Sequence, residues 1–502
     1  MDTFASTLRR HARARPAAPA LSFGGQTQSF AELDASSSRA ANLMLSRGVA
    51  AGDRVAVLAK NCAAYFEVLV GASKIGATVV GLNWRLSPRE MAEILADADP
   101  KLLFHDERGA QLLPAEHGWE MLAFGAGYAA ARDAMPERDP EHRGLPDEIA
   151  LILYTSGTTG LPKGVMLTNE AMSYTARLAE AWGMTSSSVN LVAMPLFHIG
   201  GCGYGSSTFM AGGHTVLISE VDVGDILDLV PKHGVTHTFL VPAVVQMMLN
   251  SDAVRNADLS SLELLMYGAS PMGDVLLRRA IDVLGCNFMH AYGMTESAGT
   301  VVILPPDMHD PDGPRPELLK SCGKPLPWVS LRIIDPATGR DAALGKVGEI
   351  WLKTAMIMKG YWNNPAATRE VFAEDGWFRT GDAAYLDEDG YIYLFDRFKD
   401  MIISGGENIY PAEIENVLNG HEAVAQVAVI GVPHEKWGET PLAFVVLRPG
   451  RSATPEDLIA YTRRNLATYK CPSTIKLVET LPRNATGKLL KPELRRLHGV
   501  SG

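Results

Sequence analysis

The sequence predicts an α/β protein with two domains of unequal size. The N-terminal part is expected to form a large domain of helix-covered parallel sheets with a β-rich subdomain, and the C-terminal part a small α+β domain. Three observations predict this class. The 502 residues exceed what one compact core usually holds. Short β-branched runs alternate with helical stretches from residue 54 onward. After Cys322, turns rich in glycine and aspartate become frequent.

The alternating runs define the elements of the large domain. A β-branched run followed by a longer apolar stretch recurs, which is typical of parallel strands joined by helices. The predicted strands are 54–59, 78–81, 149–154, 235–240 and 262–267, and the predicted helices are 63–75 and 88–98. Strand 149–154 runs directly into a loop rich in glycine and threonine, which makes that loop the first place to look for a ligand site.

The β-rich subdomain is followed by a charged break. Residues 387–390 predict a hairpin turn, with a strand at 391–395. The charged stretch 396–400 then interrupts the pattern, and we place the domain boundary there. Beyond it the sequence predicts helices 412–418 and 455–466 and strands 424–430 and 442–447. The predicted organisation is a domain at 1–398, a hinge at 399–400 and a second domain at 401–502.

Composition and charge argue against several classes of protein. A net charge of −11 and a pI near 5.7 disfavour nucleic acid as a partner, because phosphate-backbone binders usually carry a basic face. Five scattered cysteines without a CxxC spacing disfavour a disulfide framework or a zinc site and fit a reducing cytoplasm. No apolar run approaches the roughly 20 residues of a membrane helix. The arginine-rich residues 1–15 share features with a transit peptide, but a surface helix ended by Pro16 explains them better.

The strongest chemical signal is the stretch 154–164, Tyr-Thr-Ser-Gly-Thr-Thr-Gly-Leu-Pro-Lys-Gly. Small residues after a buried strand let backbone N–H groups approach phosphate oxygens, and hydroxyls add further donors. The glycine spacing, with a proline before the lysine, does not match the Walker loop, which excludes an ordinary phosphate-transferring kinase. The candidate ATP ligands of this loop are Thr155, Ser156, Gly157, Thr158, Thr159 and Lys163.

Further motifs follow the loop in order along the chain. They are Pro-Leu-Phe-His at 195–198, Tyr-Gly-Ala-Ser at 267–270, Tyr-Gly-Met-Thr-Glu-Ser at 292–297, Trp-Phe-Arg-Thr-Gly-Asp at 377–382, Asp-Arg at 396–397 with Lys399, Ser-Gly-Gly-Glu-Asn-Ile at 404–409 and Pro-Arg-Asn-Ala-Thr-Gly-Lys at 482–488. With these motifs the whole chain resembles the family of acyl-CoA synthetases, nonribosomal-peptide adenylation domains and beetle luciferases. It is most similar in look to bacterial fatty-acyl-CoA synthetases.

The resemblance implies an ATP-dependent acid–CoA ligase that uses ATP, Mg²⁺ and coenzyme A. Glu296 is expected to hold Mg²⁺ against the ATP phosphates as a hard oxygen ligand, and Thr295 to donate to the α-phosphate. Asp382 suits the paired ribose hydroxyls, because a carboxylate only accepts hydrogen bonds. Arg397 is expected at the ribose or a phosphate, with a hinge salt bridge as the alternative. The remaining residues implied to bind ATP are Gly268, Ala269, Ser270, Ala291, Tyr292, Gly293 and Met294.

The catalytic residues implied by the resemblance act by position and charge. Lys488 is expected to bridge the attacking carboxylate and the α-phosphate of ATP, which neutralises charge in the transition state. No protein nucleophile is needed, and Thr155 and Glu296 complete the phosphate side. His198 either gates the place where the carboxylate and the thiol meet or is a satisfied core histidine. The glycines after it either leave volume for the acyl group or allow close helix packing; they are Gly200, Gly201, Gly203 and Gly205.

The C-terminal domain is expected to be mobile. Adenylation needs Lys488 in the site, whereas thioester formation needs an open channel. The resemblance implies a rotation about 399–400 that replaces Lys488 by Gly405 and Gly406, whose missing side chains suit a passing pantetheine arm. Trp437 either lines that channel or packs in the core, and Lys470 is expected to meet a CoA phosphate.

The identity of the acid is the least constrained prediction. No Arg or Lys lies in 236–246, which disfavours a small dicarboxylate and leaves a fatty acid of medium or long chain, or another bulky hydrophobic acid. An aryl or hydroxycinnamic acid is the alternative. A ligase that loads a separate acyl carrier protein stays open, and the lack of a carrier domain after Lys488 favours CoA. A catalytically silent homologue is disfavoured because Glu296, Asp382 and Lys488 occur together. A homodimer is compatible with the sequence.

Overall fold

The computed structural model of the chain describes residues 2–114, 118–155, 162–270, 272–397, 400, 402–404, 407–434, 438–483 and 489–497. The helices are α1 (Phe4–Ala14), α2 (Phe30–Ser46), α3 (Ala63–Ser73), α4 (Pro88–Ala98), α5 (Glu107–Ala110), α6 (Ala126–Asp133), α7 (Asn169–Ser173), α8 (Thr175–Ala181), α9 (Ile199–Ala211), α10 (Val223–His233), α11 (Pro242–Asn250), α12 (Asp274–Leu284), α13 (Pro365–Val371), α14 (Pro411–Asn419), α15 (Pro455–Asn465) and α16 (Lys491–Leu497).

The strands fall into four sheets. They are β1 (Pro19–Phe23), β2 (Gln26–Ser29), β3 (Arg54–Leu58), β4 (Thr78–Gly81), β5 (Leu102–His105), β6 (Glu120–Ala123), β7 (Ile149–Thr155), β8 (Lys163–Thr168), β9 (Val189–Val192), β10 (His214–Leu217), β11 (His237–Leu240), β12 (Leu264–Gly268), β13 (Asn287–Met294), β14 (Gly299–Leu304), β15 (Lys324–Pro325), β16 (Ser330–Asp335), β17 (Arg340–Asp341), β18 (Gly348–Lys353), β19 (Gly360–Tyr361), β20 (Phe378–Leu386), β21 (Ile392–Arg397), β22 (Ile402–Ser404), β23 (Glu407–Ile409), β24 (Val424–His434), β25 (Gly438–Leu447) and β26 (Thr474–Leu477).

Two largely parallel sheets form the body of the N-terminal part. The first has the strand order β19-β8-β7-β4-β3-β5-β6, and the second the order β15-β14-β13-β12-β11-β9-β10-β1-β2. Strands β3 to β7 pair in parallel, and so do β9 to β13, as the alternation of strands and helices predicts. The predicted fold class is therefore confirmed.

Helix α3 shows why these sheets pack into one body. It is apolar on nearly all sides, which is the pattern of a helix buried in a large core. Gly71 lets it approach α2 closely, because a Cβ there would lie 2.9 Å from the carbonyl oxygen of Ser37. Its one carboxylate, Glu67, is buried and accepts hydrogen bonds from the Tyr128 hydroxyl at 2.9 Å and from Arg132 at 2.7 Å. The buried charge is thus paired, as burial requires.

The β-rich subdomain predicted after Cys322 is the antiparallel sheet β17-β16-β18-β20-β21. The predicted turn at 387–390 is present, with Gly390 in the left-handed region at φ 79°. The strand after it begins one residue later than predicted, at Ile392.

The C-terminal part forms the sheet β23-β22-β25-β24 with β26 alongside β25. Helix α14 and helix α15 match the two predicted helices within a residue, while β24 extends beyond the predicted strand to His434. Asp400, in the predicted hinge, accepts from Arg495 of α16 at 3.3 Å. In the described part of the chain, no helix is both long and apolar enough to cross a membrane.

Candidate active site

The phosphate loop joins two antiparallel strands. β7 ends at Thr155 and β8 begins at Lys163, and these two residues are direct partners across the strand pair. The connecting residues Ser156, Gly157, Thr158 and Thr159 lie outside the described residues. The Lys163 ammonium lies 5.0 Å from the ring centre of Tyr361, which belongs to β19 on the other side of β8. The cation predicted from the sequence is therefore held at the base of the loop by an aromatic face.

The predicted adenine side is built from backbone in close contact. Gly268 and Ala291 are partners on β12 and β13, and a Cβ on Gly268 would lie 2.1 Å from the Ala291 carbonyl oxygen. A Cβ on Gly293 would lie 1.9 Å from the carbonyl oxygen of Gly299. Ala269 takes the left-handed conformation at φ 64°, which is costly for a residue other than glycine. Strain and close approach at the carboxyl ends of adjacent parallel strands are features of a ligand site.

Glu296 lies in the short turn after β13. Its Oε1 accepts a hydrogen bond from the Tyr361 hydroxyl at 3.0 Å, and its backbone carbonyl accepts from the Met358 amide at 2.8 Å. The turn is fixed by Ser297, whose hydroxyl accepts from the Met294 amide at 3.1 Å. One carboxylate oxygen is thus positioned by the protein, and in the described part of the chain the other carries no hydrogen bond.

This arrangement fits the Mg²⁺ ion that the resemblance implies. No group of three or more His, Cys, Asp or Glu side chains suited to a metal occurs among the described residues. Mg²⁺ is commonly held by one or two carboxylates together with substrate phosphates and water. A single oriented glutamate beside the phosphate loop is the donor set expected for an ion that arrives with ATP.

Asp382 is held by a second tyrosine. The Tyr292 hydroxyl donates to its Oδ2 at 2.7 Å, and burial, followed by the charge of Asp382, raises the pKa of Tyr292 well above its usual range. Gly381, at φ 73°, donates its amide to Glu349 at 3.0 Å and turns the strand at this point. Arg397 is the direct partner of Asp382 on β21, so the two residues predicted at the ribose are neighbours. The Arg397 side chain lies outside the described part.

His198 is the N-cap residue of α9. Its Nε2 is buried without a hydrogen-bond partner among the described residues. Burial and, less strongly, the charge of Arg85 lower its pKa to about 4, so the imidazole is neutral at neutral pH. The backbone of Phe197 packs on the end of β4, where a Cβ on Gly81 would lie 3.1 Å from the Phe197 Cα. A neutral ring whose Nε2 has no partner among the described residues differs from a satisfied core histidine, and the gating role stays a prediction.

The glycines of α9 divide into two groups. A Cβ on Gly201 would lie 2.0 Å from the Pro195 carbonyl oxygen, so this glycine is required for close packing and leaves no volume for an acyl group. Gly205 and Gly200 face side chains instead: a Cβ would approach Phe66 and Val192 to 3.3 Å at Gly205, and the ring of Phe239 to 3.3 Å at Gly200.

The predicted CoA ligands are only partly described. Gly405, Gly406 and Trp437, like Lys488, the predicted catalytic lysine, lie outside the described residues. The Lys470 ammonium contacts both carboxylate oxygens of Glu413, at 2.7 and 2.8 Å. A CoA phosphate would have to compete with that carboxylate for the lysine, so the prediction for Lys470 is weakened.

Sequence reasoning missed the side chains that position the two carboxylates. Tyr361 was not identified because it lies in a two-residue strand, 65 positions from Glu296, with only Gly360 as a local signal. Tyr292 was identified as a motif residue, but its hydroxyl contact with Asp382 spans 90 positions. Neither pairing has a spacing that a motif or a period would reveal.

Two models of one enzyme family match most of the chain. The model of the AMP-binding enzymes matches residues 8–362, and the model of the AMP-binding enzyme C-terminal domain matches residues 413–488. A fatty acid–[acyl-carrier-protein] ligase, ScoC of Streptomyces coeruleorubidus, is 40% identical over 99% of this chain and 96% of the relative. A feruloyl-CoA synthase of an Amycolatopsis species is 40% identical over 98% of each chain.

Solved structures agree with this assignment over the full length. ATP-bound MatB from Rhodopseudomonas palustris superposes with a TM-score of 0.90 at 30% identity, covering 99% of both chains. The o-succinylbenzoate CoA synthetase MenE of Bacillus subtilis, in complex with the acyl-adenylate intermediate, superposes with a TM-score of 0.87 at 33% identity over 97% of both chains.

Proposed function

This chain belongs to the AMP-binding enzyme family, and from that premise we propose which residues carry its reaction and which acid it takes. It is an AMP-forming acid–thiol ligase that uses ATP, Mg²⁺ and coenzyme A. The proposed substrate is a hydrophobic carboxylic acid, either a fatty acid or a bulky aryl acid. The proposed compartment is the cytoplasm, which suits a chain whose five cysteines are all free thiols.

The first half-reaction forms the acyl-adenylate. A carboxylate oxygen of the acid attacks the α-phosphorus of ATP, and the bond to the bridging oxygen breaks as pyrophosphate leaves with the electron pair. Glu296 would hold the Mg²⁺ that offsets phosphate charge when it is bound. Asp382 accepts from the ribose hydroxyls, and Lys163 faces the phosphates from the base of the loop. Lys488 is proposed to bridge the two anions as they meet.

The second half-reaction transfers the acyl group. The sulfur of CoA attacks the acyl carbon, AMP leaves with the bonding pair, and the thiol proton passes to solvent. His198 stands where acid and thiol meet. Because it is neutral and its Nε2 carries no hydrogen bond in the described part of the chain, it adds no charge that would hold the acid in place, and its ring can turn aside. The predicted rotation about 399–400 brings Gly405 and Gly406 to the site in place of Lys488.

One observation carries this proposal. The Tyr361 ring lies against the Lys163 ammonium, and the Tyr361 hydroxyl donates to the Glu296 carboxylate. Two residues predicted at the ATP phosphates and their Mg²⁺ therefore contact the same side chain. Tyr292 makes a similar contact, because its hydroxyl donates to the Asp382 carboxylate. A nucleoside triphosphate requires a cation, a hard oxygen ligand and a ribose acceptor, and these contacts support the proposal that Lys163, Glu296 and Asp382 fill those roles.

The substrate class rests on the pocket wall and on the relatives. Helix α11 and the strand before it present no Arg or Lys between residues 236 and 246, so an anionic distal group has no partner there. The relatives named above act on a fatty acid and on ferulate. We therefore retain a fatty acid and a hydroxycinnamic acid as the two candidates. Loading of an acyl carrier protein is a second candidate activity, because one of these relatives does so.

A panel of acids tests the proposal. Pyrophosphate release and AMP formation are measured with medium- and long-chain fatty acids, hydroxycinnamic acids and malonate. Each acid is offered with CoA or with a holo acyl carrier protein. We expect thioester formation with CoA and a hydrophobic acid, and no turnover of malonate. Turnover of malonate alone would contradict the substrate class, and transfer only to the carrier protein would replace CoA as the acceptor.

A further inference from the structure

Buried polar atoms without partners are concentrated beneath α9. Ten side-chain nitrogen or oxygen atoms in the described part of the chain are buried and make no hydrogen bond, and five of them belong to four residues under this helix. These atoms are Trp182 Nε1, Asn190 Oδ1 and Nδ2, Tyr204 OH and Thr215 Oγ1. We call Trp182, Asn190, Tyr204 and Thr215 the polar cluster. Buried polar groups are nearly always hydrogen-bonded, so such a concentration requires partners from outside the protein, either water or a polar group of a ligand.

The register of the second sheet shows that these residues share one face. Asn190 on β9 is the direct partner of Thr215 on β10 and of His237 on β11. Partner residues in a parallel sheet project to the same side. Val192, two residues after Asn190, packs against Gly205 of α9, which identifies that side as the one covered by α9. The ring of Tyr204 on α9 lies 5.4 Å from the ring of Trp182, centre to centre.

The polar cluster lies directly behind the candidate acyl site. The Tyr204 ring lies 5.6 Å from that of Phe239. Phe239 in turn lies between Gly200, two residues after His198, and Gly268 at the end of β12, where added Cβ atoms would approach its ring to 3.3 and 3.6 Å. Tyr204 follows His198 by six residues, which is about 9 Å along a helix. This spacing matches the length of an acid whose carboxylate lies at His198 and whose far end reaches the polar cluster.

The chemistry of the cluster selects the group it would bind. Its members are uncharged, and they offer donors from the indole, amide and hydroxyl groups and acceptors from the amide and hydroxyl oxygens. The adjacent His237 makes hydrogen bonds with Thr236 and the Trp182 carbonyl, and burial lowers its pKa, so it adds no charge. A second carboxylate would be buried there without a cation, which is costly. A plain hydrocarbon end would leave the polar atoms unsatisfied.

We infer that the acyl pocket ends in this polar cluster, which binds a hydroxyl group at the distal end of the acid. The inference rests on the proposed function and narrows its substrate class to acids that carry an uncharged hydrogen-bonding group about 9 Å from the carboxylate. Phenolic phenylpropanoid acids and ω-hydroxy acids of matching length have this form. Tyr204 and Asn190 are the residues that distinguish a hydroxy acid from its parent.

Matched pairs of acids test the inference on the full-length enzyme. The pairs are 3-(4-hydroxyphenyl)propanoate against 3-phenylpropanoate, and 8-hydroxyoctanoate against octanoate, with octanedioate as the charged analogue. We expect kcat/KM for acyl-CoA formation to favour the hydroxy acid by about 10- to 100-fold in the series that the enzyme uses, because the parent leaves buried donors and acceptors unpaired. The dicarboxylate should be the poorest of its series.

Two variants test whether the preference for the hydroxy acid arises at the polar cluster. Tyr204→Phe and Asn190→Leu should each bring the ratio of hydroxy to parent acid towards one. Ser207→Ala is the matched control: it also removes a buried hydroxyl from α9, but that hydroxyl already donates to the Gly203 carbonyl at 3.0 Å, so the ratio should not change. Thermal unfolding identifies a variant that fails to fold. In that case the test is the ratio of hydroxy to parent acid in the other variant, compared with the ratio in the wild-type enzyme.

The outcomes separate the inference from the proposed function. A wild-type enzyme that uses the parent acids as well as or better than the hydroxy acids would overturn the inference and indicate that buried water satisfies the cluster. A preference for hydroxy acids that survives in both Tyr204→Phe and Asn190→Leu would also overturn it. If no acid of any series yields AMP and pyrophosphate, the proposed function fails instead.

Discussion

Replacing Tyr292 by phenylalanine should weaken ATP binding without slowing the chemical step at saturation. The change removes only the hydroxyl that donates to Asp382 at 2.7 Å. A hydrogen bond of this length to a carboxylate is charge-assisted and contributes about 1.5–3 kcal/mol. At about 1.4 kcal/mol per factor of ten, its loss corresponds to a change of roughly 10- to 100-fold. Because Asp382 is only half-buried, water replaces part of the contact, and we expect the lower end of that range.

The effect should fall on KM for ATP. The ribose is held in the same way before and during phosphoryl attack, so the contact is uniform between ground state and transition state. Loss of uniform binding raises KM and leaves kcat unchanged. The assay is continuous pyrophosphate release at saturating acid and CoA, with ATP varied over three decades.

Tyr361→Phe provides the matched control, because it removes the hydroxyl that positions the other carboxylate, Glu296. This variant should require severalfold more Mg²⁺ for half-maximal rate, and at saturating Mg²⁺ its rate and its KM for ATP should return close to the wild-type values. Tyr292→Phe should therefore raise KM for ATP, and Tyr361→Phe should raise the Mg²⁺ concentration at half-maximal rate. The reasoning is refuted if Tyr292→Phe lowers kcat while KM for ATP stays constant, or if both variants shift the same parameter equally.

Three other predictions follow from the site and its surroundings. Glu296→Ala should lose most adenylation activity, because Mg²⁺ loses a hard ligand; normal turnover at limiting Mg²⁺ would contradict the assignment. Lys488→Ala should slow acyl-AMP formation by two to three decades, about 3–4 kcal/mol, yet convert pre-made acyl-AMP and CoA at close to the normal rate; equal slowing of both steps would contradict domain alternation. Between pH 6.5 and 4 the free energy of unfolding should fall by about 1.4 kcal/mol per pH unit for each buried histidine whose pKa is lowered to about 4, since only the unfolded chain takes up the proton. These are His198, His214, His290 and His309, and urea unfolding across this pH range measures the slope, which a flat profile would refute.

The sequence patterns predicted local structure better than long-range contacts. Strand 78–81 and helix 88–98 were predicted at their observed bounds. The strand is a short β-branched run that ends at a glycine, and the helix has a clear apolar period and begins after the capping residue Ser87. Strand 262–267 is displaced by up to two residues, since strand ends depend on partners elsewhere in the sheet. The hairpin β1–β2 was not predicted, because its second strand is polar and lacks an alternating pattern.

The candidate site shows the same difference between local patterns, which could be predicted, and long-range contacts, which could not. Gly268 and Gly293 could be recognised as motif residues, but the reason for each glycine, a carbonyl oxygen about 2 Å from where a Cβ would lie, is visible only once two strands are paired. The polar cluster could not be predicted at all. Its members are ordinary residues of four separate elements, and what distinguishes them is the lack of partners after folding.

The two tyrosine contacts connect three sheets at the place where ATP is expected. Tyr361 belongs to the first sheet through β19 and holds Glu296 of the turn after β13 in the second sheet. Tyr292 belongs to the second sheet and holds Asp382 on β20 of the subdomain. Each carboxylate is therefore oriented by a sheet other than its own. The proposed ATP ligands Glu296 and Asp382 reach their positions only when all three sheets have packed, so we expect nucleotide binding to be a property of the assembled N-terminal part. It also follows that ATP should stabilise the packing between sheets, because it should bind more tightly to the arrangement in which both hydroxyl contacts are made.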